Sequence, residues 1–185
     1  MKTKNLIFIS MFTAFTAVFG LLPPIPIPFI PVPITLQTFG VMLTGALLGS
    51  KKGFLSILLL VALIAIGIPL LSGGRGGLGV LTAPGGGYIL SWPLAAFMIG
   101  WFTERLNHYS MRNLIFINVV GGILFIYLCG SLWFSFTTDL PFPQSFIANL
   151  AFLPGDAVKV VLTAALTIKL KQTGTVPILN ETMKR

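Results

Sequence analysis

Apolar residues occur along this chain in long runs, separated by short connections that are polar or rich in proline and glycine. The runs are continuous rather than alternating, which favours helices over half-buried strands. Each run can cross roughly 30 Å of hydrocarbon as a helix, and the shorter ones only just reach. The pattern predicts an all-α integral membrane protein with a single membrane domain, residues 1–185, and six transmembrane helices at about 5–22, 34–50, 53–71, 88–103, 113–136 and 154–171.

Composition agrees with a membrane location. Of the 185 residues, 55% are hydrophobic and 9% are charged, which is far from the balance of a soluble domain. Lys2 and Lys4 precede the first apolar run, as basic residues do in a signal peptide. That run leads into Pro23 and Pro24 without a small-residue cleavage pattern, so we interpret it as the first membrane helix.

The basic residues predict the orientation, because they are enriched on the cytoplasmic side of membrane proteins. With both termini cytoplasmic, the outer side holds Arg75, and Lys159 lies near the outer end of the last helix. The other ten of the twelve basic residues are then cytoplasmic: Lys2, Lys4, Lys51, Lys52, Arg105, Arg112, Lys169, Lys171, Lys184 and Arg185. This predicts a multi-pass protein of the cell membrane. The net charge of +8 then reflects topology, and the dispersed charges argue against nucleic-acid binding.

The connections at 23–33, 72–87 and 137–153 are predicted to lie on the outer side. Six prolines between Pro23 and Pro33 remove backbone donors and impose extended geometry, so this connection should be a stiff strap and not a helix. In the third connection, a short surface helix is expected from Gln144 to Phe152, ahead of Pro154.

The connection at 72–87 carries eight glycines around Arg75. Loops of this length are usually functional or disordered. A flexible linker is one interpretation. The apolar residues Leu78, Val80 and Leu81 favour the other, a gate that folds back over a pocket, since a linker is normally polar. Glycines such as Gly86 would allow close approach of the backbone to a ligand.

Asp156 and Lys159 are the charged residues that lie inside an apolar segment. Three residues separate them, so they share one face of the last helix. Ionisable groups within a membrane are expensive and generally mark a substrate or ion path. An ion pair that only locks the helix is the alternative, although such pairs are weak stabilisers. We expect both side chains to point inward and to bind substrate.

Other polar residues at the predicted outer ends of helices complete a candidate site. Arg75 and Lys159 could hold a carboxylate, and Asp156 could accept hydrogen bonds from ligand N–H groups. The remaining candidates, Thr35, Gln37, Tyr88 and Trp92, add hydrogen-bonding groups and aromatic surface. Tyr88 and Trp92 could equally belong to an interfacial aromatic belt. The ligand implied by this set is small, partly apolar and amide-like, with one negative charge.

The chain shows no phosphate-binding loop of the Walker type, so any ATP-driven transport requires a partner. No catalytic set of Ser, His and Asp, no metal-binding cluster and no paired carboxylates occur in one membrane layer, so we expect neither enzymatic activity nor a metal or cofactor. A proton-coupled carrier that uses Asp156 is the alternative to a partner-driven transporter.

A candidate docking face for a membrane partner lies on the first helix. Ser10 and Ala14, and then Thr13 and Ala17, form pairs of small residues four apart. Such pairs allow close helix packing in lipid, either with a partner or within the same chain. The two interpretations are equally compatible with the spacing.

Three segments resemble the BioY family, the biotin-binding S components of energy-coupling factor (ECF) transporters. They are Pro33–Gly40, the glycine-rich stretch from Gly73 to Tyr88, and Leu153–Lys159. The resemblance implies six helices, capture of biotin from outside, and partners comprising a transmembrane T component and two ATP-binding cassette ATPases. It also implies that Asp156 meets the ureido N–H groups or orders the site, and that Lys159 binds the valerate carboxylate. The Ala-x-x-x-Ala docking motif typical of such S components is absent, and the first helix offers only its relaxed form.

Overall fold

The computed structural model describes residues 3–27 and 30–172. Lys2, Lys184 and Arg185, which contribute to the predicted orientation, lie outside the described residues. The chain forms a helical bundle with one small β-hairpin. Its elements are α1 (Thr3–Val18, extended by a 3₁₀ turn at Phe19–Leu21), β1 (Ile25–Ile27), β2 (Ile30–Ile34), α2 (Gln37–Leu48), α3 (Ser50–Ala65), α4 (Leu78–Thr82), α5 (Gly86–Glu104), α6 (Met111–Asn118), a π-helical segment (Val119–Leu124), α7 (Phe125–Thr138), α8 (Phe142–Ala148, followed by a 3₁₀ turn at Asn149–Ala151) and α9 (Leu153–Gln172).

Helix α5 lies at the centre of the bundle, against α2, α3 and α7. Small residues allow these helices to approach closely, as is common in membranes. A Cβ atom added to Gly100 would overlap the backbone of Gly49 and Ser50, and one added to Gly45 would meet the backbone of Ala96. This close packing holds α5 in place and fixes the position of its first turn.

Two helices are long and apolar enough to cross a membrane, Thr3–Leu21 and Met111–Thr138. A third span is formed if Phe142–Ala151 and Leu153–Gln172, which are bent by 62° at their junction, count as one. The other helices of the described chain do not meet this test. Helix α2, with 12 residues, is about 18 Å long at 1.5 Å per residue.

Two predicted helices have different bounds in the structure. The helix predicted at 34–50 begins at Gln37, because Pro33 and Ile34 belong to β2. The helix predicted at 53–71 runs from Ser50 to Ala65. Gly67 then adopts a positive φ of 104°, which ends the helix, and Pro69 follows it.

The connections at 23–33 and 72–87 are more ordered than the sequence indicates. The proline-rich strap is extended, as predicted, but it also forms an antiparallel hairpin that pairs Ile25 with Ile34 and Ile27 with Ile30, which was not predicted. Two-stranded hairpins tolerate proline because each strand has a free edge. The glycine-rich connection contains α4 and a backbone bridge between Leu71 and Arg75. In the third connection, α8 and the 3₁₀ turn after it overlap the short helix predicted from Gln144 to Phe152.

Candidate substrate-binding site

A cavity of about 250 Å³ lies at the end of the bundle where α2, α5 and α9 begin. Its volume is slightly below the usual range of roughly 300–1,000 Å³ for ligand pockets, which suits a small molecule. The hairpin and the glycine-rich connection form its rim. The lining residues are Val32, Pro33, Ile34, Thr35, Gln37, Thr38, Leu71, Ser72, Arg75, Val80, Ala83, Pro84, Gly85, Tyr88, Ile89, Trp92, Ile126, Tyr127, Phe152, Asp156 and Lys159.

Asp156 and Lys159 form a buried ion pair on the cavity wall. Lys159 Nζ lies 2.7 Å from Asp156 Oδ1, and each residue is 5% exposed. Lys159 Nζ also donates to the Thr35 carbonyl at 2.6 Å and to Thr38 Oγ1 at 3.0 Å. All three ammonium donors therefore have acceptors within the protein. The contact joins α9 to the start of α2.

Tyr127 completes the environment of the carboxylate. Its hydroxyl donates to Asp156 Oδ2 at 2.7 Å. A carboxylate has about four lone-pair sites, so two remain for a ligand after the bonds from Lys159 and Tyr127. The pair is thus stabilised by contacts within the protein, and the carboxylate retains capacity to accept hydrogen bonds from a ligand.

Three buried polar atoms on the cavity wall lack a hydrogen-bond partner among the described residues: Gln37 Oε1, Ser72 Oγ and Trp92 Nε1. Gln37 is held in place because its Nε2 donates to the Leu70 carbonyl at 3.0 Å. Buried polar groups are nearly always paired, so each exception requires an explanation. A ligand that offers both a donor and an acceptor would satisfy these atoms.

Arg75 lies at the rim and is exposed. Its Nε donates to the Ser72 carbonyl at 3.2 Å, which uses one of the five donors of the guanidinium. The bridge between Leu71 and Arg75 fixes the backbone here. Arg75 is therefore placed to bind a negatively charged group at the mouth of the cavity.

Tyr88 and Trp92 belong to the interior and not to an interfacial belt. Trp92 is 4% exposed and packs in the central core. The Tyr88 hydroxyl donates to Asn149 Oδ1 at 2.7 Å, and Asn149 Nδ2 donates to Ser131 Oγ at 2.6 Å. This buried network fixes the Tyr88 ring beside Phe152, with the ring centroids 6.3 Å apart.

The cavity brings together seven of the eight candidate binding residues: Thr35, Gln37, Arg75, Tyr88, Trp92, Asp156 and Lys159. Gly86 is not among the lining residues. A Cβ atom there would overlap the Leu81 carbonyl, so this glycine serves the packing of α4 against α5. Within the described residues, no three His, Cys, Asp or Glu side chains are grouped as metal ligands would be.

Sequence reasoning missed Tyr127, Phe152 and Asn149. Tyr127 is a polar group in the middle of an otherwise apolar segment, and this signal could have identified it. Asn149 and Phe152 lie in the connection where a short surface helix was predicted, but nothing in the sequence indicates that this helix packs against the cavity.

The gate interpretation of the glycine-rich connection receives partial support from packing. Leu81 is 8% exposed and packs in the central core, and Val80 packs against that core. Leu78 remains 68% exposed. The connection therefore folds back onto the bundle, as its apolar residues predict, and it covers one side of the cavity.

The four candidate docking residues on α1 do not share one environment. Ser10 and Ala14 are exposed. Thr13 is 4% exposed, and its hydroxyl lies 2.8 Å from the carbonyls of Ile9 and Ser56. Ala17 packs against the central core. Thr13 and Ala17 thus pack within the chain, whereas Ser10 and Ala14 lie on the exposed face of α1.

Comparison with known proteins identifies the family. A sequence model described as the BioY family matches residues 1–175. The chain belongs to the BioY family. The match includes the whole cavity wall, from Val32 to Lys159, and it confirms the resemblance seen in the three sequence segments.

Several BioY relatives are named biotin transporters. The chain is 40% identical over 176 residues to the biotin transporter BioY of Lactococcus lactis, covering 94% of this chain and 93% of the relative. It is 39% identical over 172 residues to that of Rhizobium etli, covering 90% and 92%. It is 43% identical over 172 residues to a probable biotin transporter BioY of Bacillus subtilis, covering 93% and 92%.

A solved structure shares the BioY fold described above. It is the crystal structure of the S-component for biotin from an ECF-type ABC transporter, which matches with a TM-score of 0.89 and 40% sequence identity. The match covers 92% of each chain. The helical fold of this BioY protein is therefore that of an S-component, and the protein is a membrane protein of a transporter family.

Proposed function

We propose that this BioY protein is the substrate-binding S component of an ECF-type importer, which captures biotin from outside the cell and delivers it across the membrane with an ATP-driven partner module. The observation that carries the proposal is the cavity, in which a buried carboxylate and three buried polar atoms that lack partners among the described residues face one small space. We infer biotin as the ligand because the relatives are named biotin transporters.

The chemistry of biotin complements the cavity. Its ureido ring offers two N–H donors and one carbonyl acceptor, its fused ring is apolar, and its valerate chain ends in a carboxylate. Asp156 and Gln37 Oε1 would accept from the ureido N–H groups, and Trp92 Nε1 would donate to the carbonyl. The aromatic rings of Tyr88 and Phe152 would pack against the fused ring.

Arg75 would bind the valerate carboxylate at the rim. Lys159 was expected to do so, but its three donors already have acceptors within the protein. A carboxylate would have to displace one of them. We therefore assign Lys159 the role of neutralising and orienting Asp156, while Arg75, with four further donors, binds the carboxylate.

The proposed topology has six membrane segments, formed by α1, α2, α3, α5, the α6–α7 helix and α9, with both termini on the cytoplasmic side of the cell membrane. The distribution of basic residues supports this orientation. The binding cavity then opens outward. Helices α2 and α3 are short for a full span, and the hairpin and the glycine-rich connection complete the bundle on the outer side.

The partners in this proposal are a transmembrane T component and two ATP-binding cassette ATPases. The exposed pair Ser10 and Ala14 on α1 offers a face for close packing with the T component. The protein itself would perform no chemical reaction, since binding and release suffice for its role, and it would act without a cofactor.

Titration of the detergent-purified, ligand-free protein with biotin tests the function. Trp92 lies in the cavity wall, so its fluorescence should change on binding. Tight binding of biotin, with dethiobiotin weaker and with no response to thiamine or riboflavin, is the expected result. Absence of binding by folded protein would contradict the proposal.

Uptake into liposomes that contain this chain alone, driven by a pH gradient and abolished in Asp156→Asn, would instead favour a proton-coupled carrier.

Substitution of Arg75 by glutamine is expected to weaken biotin binding about tenfold, which corresponds to roughly 1.4 kcal/mol. The reason is loss of a charge-assisted bond at a partly solvated position. Biotin amide, which lacks the carboxylate charge, should bind the variant and the unaltered protein equally well. Calorimetric titration with both ligands gives the comparison, and Arg105→Gln at the opposite end of the bundle is the matched control. An equal loss for both ligands would refute the assignment of Arg75 to the carboxylate.

A further inference from the structure

A second cavity, of about 530 Å³, lies at the opposite end of the bundle. Helix α5 connects the two ends, because it starts at Gly86 beside the binding cavity and ends at Glu104. Its 19 residues separate the two cavities by about 28 Å. We call this second cavity the arginine groove, and its walls are Phe102, Arg105, Leu106, Arg112, Asn113, Phe116, Ile117 and Val120. Biotin capture makes no use of it.

The arginine groove carries its charges at the mouth, and its deeper walls are apolar. Arg112, Phe116 and Val120 follow one another at four-residue spacing and therefore share one face of the α6–α7 helix. Arg112 lies in the first turn, and Val120 lies two turns further into the bundle. Phe116 is 68% exposed and Phe102 is 37% exposed, so the groove presents a large apolar surface below its charges.

The two guanidinium groups are available for an anion. Within residues 3–27 and 30–172, neither Arg105 nor Arg112 forms a salt bridge. Arg105 Nη1 donates to the Trp101 carbonyl at 3.0 Å, and its guanidinium lies 3.4 Å above the Trp101 ring. These contacts orient the guanidinium and use one of its five donors.

The nearest acidic residue does not neutralise the groove by bonding to it. The Glu104 carboxylate accepts from the Ser50 backbone N–H at 2.7 Å and from Ser50 Oγ at 2.9 Å. These bonds direct the carboxylate towards the start of α3. The arginine groove therefore keeps its positive charge.

We propose that the arginine groove binds an anionic phospholipid of the inner leaflet. The two arginines bind the phosphate of the headgroup, since guanidinium groups match phosphate geometry, and one acyl chain lies along Phe116 and Val120. Basic pockets between membrane helices on the cytoplasmic side are typical sites for anionic lipids. The inference rests on the proposed membrane orientation and is independent of the ligand in the binding cavity.

The protein is purified in detergent micelles that contain equal amounts of phosphatidylglycerol and phosphatidylcholine. Native mass spectrometry then measures which lipid stays bound. The unaltered protein should retain phosphatidylglycerol preferentially. In the double variant Arg105→Gln/Arg112→Gln, the ratio of retained phosphatidylglycerol to phosphatidylcholine should fall about tenfold, because each arginine contributes to attraction of the headgroup. The charge-matched control is Lys51→Gln/Lys169→Gln, which removes two exposed lysines outside the groove and should keep the preference. Thermal unfolding verifies that each variant is folded.

Several results would overturn the proposal. An equal loss in the lysine control would show general attraction to a basic surface. Displacement of the lipid by millimolar inorganic phosphate would show a site for a free anion. An unchanged lipid preference in the arginine variant, with loss of the co-purified transporter partner, would show a protein-docking surface. Loss of biotin binding with lipid preference intact would count against the proposed function alone.

Discussion

Replacing Lys159 with methionine is expected to destabilise the folded protein by about 3–5 kcal/mol. The change leaves the Asp156 carboxylate buried with only Tyr127 as its bonded neighbour. It also removes the bonds from Lys159 to Thr35 and Thr38, which join α9 to the start of α2. Biotin affinity should fall more than tenfold in the fraction that remains folded. Thermal unfolding of the detergent-solubilised protein and calorimetric titration at low temperature measure the two effects.

The double variant Asp156→Asn/Lys159→Met separates the two roles of the pair. Asparagine can still accept the Tyr127 hydroxyl, and no charge remains buried, so stability should largely return. Affinity should not return, because the carboxylate that accepts the ureido N–H groups is lost. The single variant Asp156→Asn is also expected to lose stability, but it should still fold because Lys159 keeps its bonds to Thr35 and Thr38, and it should bind biotin more than tenfold more weakly. If the double variant bound biotin normally, the pair would be a helix lock and not part of the binding site.

Replacement of Trp92 by phenylalanine is expected to weaken biotin binding about tenfold and to lower stability only modestly, because the smaller ring leaves a small void in the core. Trp92 Nε1 is buried and has no partner among the described residues. Loss of the unpaired N–H is itself neutral or favourable for the stability of the ligand-free protein, whereas loss of a donor that the ligand uses forfeits roughly 1–2 kcal/mol of binding free energy. The loss of affinity should therefore be measurable in protein that remains folded.

Trp101→Phe is the matched control for this second prediction, because Trp101 lies at the other end of α5 and 38% of its surface is exposed. Its affinity for biotin should equal that of the unaltered protein. A structural role for Trp92 alone would lower the unfolding temperature and leave the affinity of the folded protein unchanged. Calorimetric titration is the suitable measurement, since the substitution of Trp92 removes the fluorescent reporter.

Most polar residues on the cavity wall could be selected from the sequence, and the reason is physical. Asp156 and Lys159 are conspicuous because charge is costly in an apolar segment, and helical spacing alone brings their side chains together. The structure places them 2.7 Å apart. Gln37 and Arg75 could be selected in the same way, as polar groups at the predicted outer ends of helices.

Tertiary contacts determine what the sequence does not predict. The three bonds of Lys159 require knowledge of how α9 packs on α2, so its assignment to the carboxylate could not be examined from spacing. The hairpin was missed because prolines argue against strands in general, although a two-stranded ribbon has free edges that tolerate them. Gly86 was misassigned because glycine permits close approach to any neighbour, and here the neighbour is the Leu81 carbonyl.

The bond from Lys159 to the Thr35 carbonyl spans 124 residues of sequence, and this separation has a consequence for biosynthesis. At translation rates of about 5–20 residues per second, roughly 6–25 s pass between synthesis of the two sides of the pocket. During this interval the first helices enter the bilayer without their final partner. Asp156 and Lys159 lie on the same turn of α9, so they can neutralise each other as soon as that helix forms. The last helix can thus insert with its charges already paired, and the pocket is completed in a single late docking step.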